Sequence, residues 1–244
     1  MSENRGSVRR GSLLLAVCLL LVGCATPKFW TYSARANPVA PQPLSEKSLA
    51  VTAFVDARPT ANSDYLLLHL VPFLPFGWQN FETPEKMYEH VHSTIWEFHP
   101  TEDLARAMAS ELARSQLFRL VNYTQRTEDY DLVLEGRILS TKFIGFRLSH
   151  GLSIAAPVLW LAGLPSAHVT NRLELLFLLK ETKTGRTLWS SEYLSEVKGL
   201  NGLYYERPDF YYPELFCDIA QTAIHNLETL MRAAGAGAPT PAQQ

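Results

Sequence analysis

The chain has 244 residues, of which 47% are hydrophobic and 19% charged, and its formal net charge is −2. This length suits one domain plus a targeting segment, and the composition argues against a disordered, collagen-like or polytopic membrane chain. A charge so close to neutral leaves no electrostatic footprint for nucleic acid.

The first two dozen residues carry the strongest pattern. Arg5, Arg9 and Arg10 precede an apolar run, Ser12 to Val22. At roughly ten residues this run has the length of a signal core, not the ~20 residues that span a bilayer as a helix. It ends on Leu21-Val22-Gly23-Cys24, which resembles the bacterial lipobox. The resemblance implies that Cys24 takes a diacylglycerol and becomes the first residue of the mature protein. Ala25 follows, where an aspartate would resemble an inner-membrane retention signal, so the expected location is the outer membrane, facing the periplasm. Loss of residues 1–23 removes three arginines and one glutamate and leaves a mature charge of −4. Of the three cysteines, Cys217 then stands alone, sits in an apolar helical pattern and reads as a buried structural thiol.

Thr26-Pro27, Asn37-Pro38, Ala40-Pro41 and Gln42-Pro43 break any helix or central strand, so residues 24–47 read as a lipidated, proline-rich tether. Residues 48–232 read as one α/β domain, and residues 233–244 as a Gly- and Pro-containing tail. Within the domain, Leu49 to Asp56 is β-rich and apolar on both faces, which predicts a buried strand stopping at Arg58-Pro59. Pro100 to Asp103 opens a helix with Leu104, Met108 and Leu112 on one face. Asp131 to Ile138 alternates, as do Leu173, Leu175, Phe177 and Leu179. Lys183 to Arg186 marks a turn before Trp189, Tyr193 and Val197 resume the period of two. A last helix starts near Pro213 and buries Phe216, Ile219, Ala223 and Leu227, with Leu230 or Met231. The expected fold is α+β: an antiparallel or mixed sheet of about four strands with two main helices packed on one face, plus two apolar excursions.

Several short stretches then carry a resemblance. They are Asp56-Ala57-Arg58-Pro59 after a strand, Asp103-Leu104-Ala105-Arg106 leading to Ser110-Glu111-Leu112, Leu117 to Val121, and Tyr130 to Gly136. With the lipobox and tether, the arrangement is similar to small α/β bacterial envelope lipoproteins of the ABC-transport auxiliary, YajG-like and penicillin-binding-protein-activator groups. The resemblance covers Leu49 to Leu139 and implies a non-catalytic accessory or scaffold domain near the outer membrane. It assigns no binding residue, because these groups share a fold more than a site.

The two excursions are the segments that depart from that pattern. Tyr65 to Trp78 is apolar and interrupted by Pro72 and Pro75, and Gly151 to Pro165 is apolar throughout. Three readings are open for them: a second core layer, an exposed patch for a membrane face or an unidentified envelope protein, or a groove for a lipid-like ligand. The expected contact residues are Leu152, Ile154, Val158, Leu159, Trp160, Leu161 and Leu164 in the second segment, and Leu74, Phe76 and Trp78 in the first.

Patterns for catalysis are weak. Ser153 lies in Gly-Leu-Ser-Ile-Ala, without the second glycine of a nucleophile elbow. Glu89-His90-Val91-His92 and Glu97-Phe98-His99 are the nearest approach to a metal cluster, with no spacing that fixes a third ligand. Tyr204-Tyr205 and Tyr211-Tyr212 flank Arg207-Pro208-Asp209 and read as aromatics capping the sheet, or as a grip for glycan. The chain is therefore expected to be a lipid-anchored envelope accessory protein with no enzyme activity, cofactor or metal and no nucleic-acid partner. The alternative is a periplasmic hydrolase or metal-dependent enzyme that uses Ser153 or the His90 region.

Overall fold

A computed structural model describes residues 28–72, 74, 76–86, 96–205 and 210–235. The frame of the molecule is a long hairpin, β10 (Ala167–Glu181) and β11 (Thr187–Asn201), paired antiparallel along nearly their whole length. Its turn closes where Gly185 adopts φ 68° and the Thr184 hydroxyl donates to Glu181 Oε2 at 2.7 Å. Odd-numbered residues of β10 from Ala167 to Leu179 are buried and even-numbered ones half-buried, as the period of two requires.

Along the other edge of β10 two strands lie end to end. β8 (Leu132–Ser140) faces Glu174–Glu181, and β9 (Phe143–Leu148) faces Ala167–Asn171. Each half of β10 therefore carries its own wing. Beyond β8 come β2 (Ser45–Val51) and β7 (Phe118–Tyr123), with the short β3 (Val55–Asp56), all parallel. Beyond β9 come β5 (Phe76–Phe81) and β4 (Asn62–Tyr65), antiparallel. Two further strands, β1 (Lys28–Phe29) and β6 (Trp96–Glu97), pair with each other.

The expected sheet of about four strands with two helices on one face is thus corrected. The main sheet has nine strands of mixed direction, and the described residues form three α-helices: α1 (Pro100–Ser115), α2 (Ala156–Leu161) and α3 (Tyr212–Gly235). The additional strands escape pattern reading because Phe76 to Phe81 and Phe143 to Leu148 mix apolar residues with glycine and with Gln79, Asn80 and Arg147, and show no clean alternation. The predicted strand Leu49 to Asp56 is also interrupted. After Val51 the chain turns so that the Phe54 ring lies over Gly136, where a Cβ would come within 2.4 Å of the ring. Val55 then emerges 58% exposed.

α1 opens with Pro100 in its first turn, and the Asp103 carboxylate accepts the His99 N–H at 2.7 Å. It closes at Gln116 in the left-handed region, φ 57°. Leu104, Met108 and Leu112 of α1, and Phe216, Ile219, Ala223 and Leu227 of α3, are buried against Leu49, Leu134 and the odd-numbered residues of β10. Cys217 is buried, with Gln221 Nε2 at 3.3 Å from its sulfur.

The break between β8 and β9 is tied by charge. Arg58, with a side chain 1% exposed, forms two hydrogen bonds to Asp56 and two to Glu85, and donates a further one to Thr141 Oγ1. Thr141 in turn donates to the Glu82 carbonyl at 3.0 Å, and its own carbonyl accepts the buried Tyr212 hydroxyl at 2.6 Å. Burial works against the charge of the guanidinium, but its bonds to the two carboxylates outweigh this and raise its pKa. The same guanidinium holds the Asp56 carboxyl down at about 2. A folded pKa below the unfolded one contributes stability that is complete above about pH 4 and lost as pH falls through about 2. Urea midpoints are expected to decline across that window and to decline less in Asp56→Asn. The slope is shallow because Asp56 is about one-third exposed.

The stretch expected to be a free tether packs against the body from Lys28 onward. Trp30 stacks with Tyr32, ring centroids 5.8 Å apart, and lies 5.2 Å from the ring of Phe98. The buried Glu111 carboxylate accepts the Tyr32 hydroxyl and the backbone N–H groups of Arg35 at 2.8 Å and Ala36 at 2.7 Å. Burial, then the contact with Glu111, push the Tyr32 phenol well above its ordinary pKa. The prolines forbid helix and central strand here, yet they suit an extended strap whose N–H groups find a side-chain acceptor.

The strap has a direction. The Trp30 N–H bonds the Glu97 carbonyl near the start of α1, and the Val39 N–H bonds the Ser115 carbonyl at its end. α1 itself runs from the end of β2, where the Phe54 N–H meets the Thr101 carbonyl, back to its start, where Leu44 and Ser45 bond Gln116 and Leu117. β8 is parallel to β2, and β9 carries on from β8 in the same direction. Lys28 therefore lies at the end of the molecule toward which β9 projects.

Candidate functional site

The segments Tyr65 to Trp78 and Gly151 to Pro165, which lie far apart in sequence, meet at the tip of the β9 wing. In the first, Asp64 accepts the Leu66 N–H at 2.8 Å and opens a 3-10 turn, Leu66–Leu70. The turn folds back over β5, so that the Leu66 carbonyl oxygen lies 2.1 Å from where a Cβ on Gly77 would stand. Only glycine permits that approach. In the second, His150, Gly151 and Ser153 take left-handed conformations and lead into α2, whose first turn holds Pro157. Gly163, at φ 94°, ends the helix while the Leu164 N–H reaches back to the Leu159 carbonyl at 3.0 Å.

Polar atoms join the two segments. Ser153 donates to the Leu70 carbonyl, and Ser149 to the Leu74 carbonyl at 3.4 Å. Trp160 is the keystone. Its ring lies 5.9 Å from that of His69, its Nε1 donates to the Leu148 carbonyl at 2.9 Å, and the Arg147 guanidinium stands 5.4 Å over its face. A third segment joins them where the Tyr204 hydroxyl donates to the Leu161 carbonyl at 2.9 Å. Together they form a lobe.

The expected contact residues divide within this lobe. Ile154, Val158 and Leu161 are 79%, 65% and 61% exposed, and Leu152, Leu164, Leu74 and Phe76 are also exposed. Leu159, Trp160 and Trp78 are half-buried, with Trp78 between the rings of Tyr65 and Phe76 at 5.1 and 6.2 Å. Sequence reasoning missed Leu67, Phe146, Leu200 and Leu203, all exposed on the same lobe or beside it. The available signal was the absence of charge: Tyr65 to Trp78, Gly151 to Pro165 and Gly199 to Tyr205 contain no Asp, Glu, Lys or Arg. A shallow apolar depression of about 330 Å³ opens between Phe76, Phe146, Leu148 and His168.

The chemical alternatives gather no site around them. The Ser153 hydroxyl is held by a backbone carbonyl, and His150 Nε2 contacts the Pro165 carbonyl at 2.7 Å. His99 is exposed, 3.9 Å from Glu97, whereas Cys24, His90 and His92 lie outside the described residues. Among the described residues, no three His, Cys, Asp or Glu side chains converge as metal ligands, and no helix is long and apolar enough to cross a membrane. The tyrosine pairs separate: Tyr212 is fully buried, Tyr211 sets its hydroxyl against Gly199, and Tyr204 and Tyr205 are exposed. Arg207 to Asp209 lie outside the described residues.

No family model matches the chain, and no curated protein does. Among solved structures it is similar to protein XCC0632 from Xanthomonas campestris, of the family DUF330, at 12% identity and TM-score 0.49, covering 85% of this chain and 99% of that one. It is also similar to a PelC dodecamer from Paraburkholderia phytofirmans at 11% identity and TM-score 0.33, covering 79% and 93%. Lipoprotein GNA1162 from Neisseria meningitidis aligns at 8% identity and TM-score 0.34, covering 75% and 99%. At such values the likeness gives no residue of this chain a role.

Proposed function

We propose that this protein is a lipid-anchored accessory or scaffold protein of the bacterial envelope, attached through Cys24 to the outer membrane and facing the periplasm. Its work is binding, not catalysis, in the manner of the small α/β envelope lipoproteins whose short motifs it resembles. The observation that carries this reading is the uncharged, exposed lobe at the end of the molecule from which the N-terminal strap enters. A soluble monomer seldom leaves more than a few hundred Å² of contiguous apolar surface in water. The hydrolase reading has little to draw on, because Ser153 serves as a strut between the two lobe segments.

Two substitutions test the anchor. Cys24→Ala is expected to abolish incorporation of a fatty-acid analogue and to leave an unprocessed or soluble product; label retained in that variant sinks the anchoring reading. Ala25→Asp is expected to move the protein from outer- to inner-membrane fractions on a density gradient. Residence of the unaltered protein in the inner membrane contradicts the sorting step and leaves acylation standing.

A further inference from the structure

We infer that the lobe is a second membrane contact, seated in the headgroup region of the same phospholipid leaflet that holds the Cys24 acyl chains. This rests on the anchoring reading above and names the partner of the lobe: a lipid surface, not a second protein.

The geometry of the strap selects the lipid. Because the chain is packed from Lys28 onward, four residue steps separate the fold from Cys24, and they span at most about 14 Å when fully extended. A free tether running to Lys47 would let the body drift several times farther. The strap enters at the end of α1 toward which β9 projects, and six strand residues carry the lobe about 20 Å beyond the β8–β9 break. Anchor and lobe thus extend from one end of the molecule by similar lengths. A link this short keeps that end of the molecule, and the lobe with it, near the membrane plane.

The chemistry of the lobe suits that plane. Ile154, in the 3-10 turn Ser153–Ala155, and Val158 and Leu161, on the six-residue helix α2, are the exposed side chains of the tip; the helix is too short to span a bilayer and suited to lying in the interface, about 5–10 Å deep. Tyr204 is bonded to the Leu161 carbonyl at this tip, the belt position where amphipathic rings are favoured. The three uncharged segments contribute no carboxylate that anionic headgroups would repel.

The test uses the mature, acylated protein reconstituted into vesicles of phosphatidylethanolamine and phosphatidylglycerol that carry brominated acyl chains. An environment-sensitive fluorophore is placed at Ile154→Cys, and separately at Thr184→Cys in the opposite turn of the β10–β11 hairpin. The probe at 154 is expected to be quenched by about twofold or more by the brominated chains and protected from aqueous iodide, and the probe at 184 to show the reverse. Adding Val158→Asp and Leu161→Asp, both at exposed positions, should return the 154 probe to iodide while the circular-dichroism midpoint stays unchanged. A 154 probe that iodide reaches on vesicle-bound protein overturns the inference and leaves the anchoring reading intact. A probe shielded from both quenchers, in a species that crosslinks to twice the chain mass, assigns the lobe to a second copy and overturns it too. The mass of the mature N-terminus reports acylation independently, and an unmodified Cys24 removes the anchoring reading together with the inference.

Discussion

Replacing Arg58 with methionine is expected to lower the thermal midpoint by on the order of 10 °C, the shift that follows from breaking a buried pair at about 3–5 kcal/mol in a chain of this size. The guanidinium bonds both oxygens of Glu85, whose side chain is 7% exposed, and both oxygens of Asp56. Its removal leaves Glu85 buried without a cation and deprives Thr141 of a donor. Arg58→Lys keeps the charge and loses the fork, so it should recover only part of the midpoint. Lys86→Met is the control: its ammonium lies 3.8 Å from Asp56 on an exposed side chain and should matter little. A midpoint for Arg58→Met as high as that of Lys86→Met would show that the cluster is ornamental. The cluster stands where β8 gives way to β9, so the same variant should also loosen the wing that carries the lobe.

What the sequence disclosed follows one-sided burial. Leu132, Leu134 and Ile138, and Leu173 to Leu179, alternate because one face of each strand meets the helices, and the turn at Lys183 to Arg186 carries its own residues. Leu104, Met108 and Leu112 betray a helix for the same reason. Phe76 to Phe81 and Phe143 to Leu148 hide because glycine and the polar Gln79, Asn80 and Arg147 interrupt their apolar residues, and periodicity cannot separate such short strands from a loop. With β4 and β7 also unread, and β2 and β3 taken as one strand, a nine-stranded sheet was reduced to about four. In the lobe, the lack of charge was readable, but the facing of each side chain was not. Ile154 and Trp160 are equally apolar on paper, and only the Leu148 carbonyl and the ring of His69 turn Trp160 inward. Phe146 and Leu200 were missed because an apolar residue on the wet face of a strand is commonplace singly.

One signal for the strap was present and unread. Glu111 falls seven residues after Leu104 and beside Leu112, on the inner face of α1, where a carboxylate must have partners. Those partners come from a proline-rich segment that periodicity had assigned to solvent. The strap matters for the proposed attachment, because packing turns a long leash into a short link between Cys24 and the fold.

Glu111→Ala is therefore expected to have the second large effect, and to act on attachment as well as stability. The substitution leaves the Arg35 and Ala36 N–H groups and the Tyr32 hydroxyl without their acceptor, at a cost of about 3 kcal/mol or more for three donors near or within the core. Glu111→Gln keeps the shape but offers one acceptor oxygen, and it brings an amide donor against backbone donors, so it should recover little. Tyr32→Phe removes the hydroxyl alone and should cost far less. The diagnostic readout is proteolysis: Arg35 is exposed, but its peptide group is held, so trypsin should cut there slowly in the unaltered protein and rapidly in Glu111→Ala. The Arg114 and Arg232 bonds to the carbonyls of Ala36 and Val39, and the backbone bonds of Trp30 to Glu97 and of Val39 to Ser115, do not depend on Glu111, so release is expected to begin between Tyr32 and Ala36 and to spread from there. With the strap released as far as Leu44, the chain between Cys24 and the fold grows to about twenty residues and some tens of Å of reach. A fluorophore at Ile154→Cys on acylated vesicles should then lose protection from iodide although the lobe itself is unaltered. Retained protection in a strap-released protein would mean that the lobe finds the bilayer by its own affinity, without help from the short link.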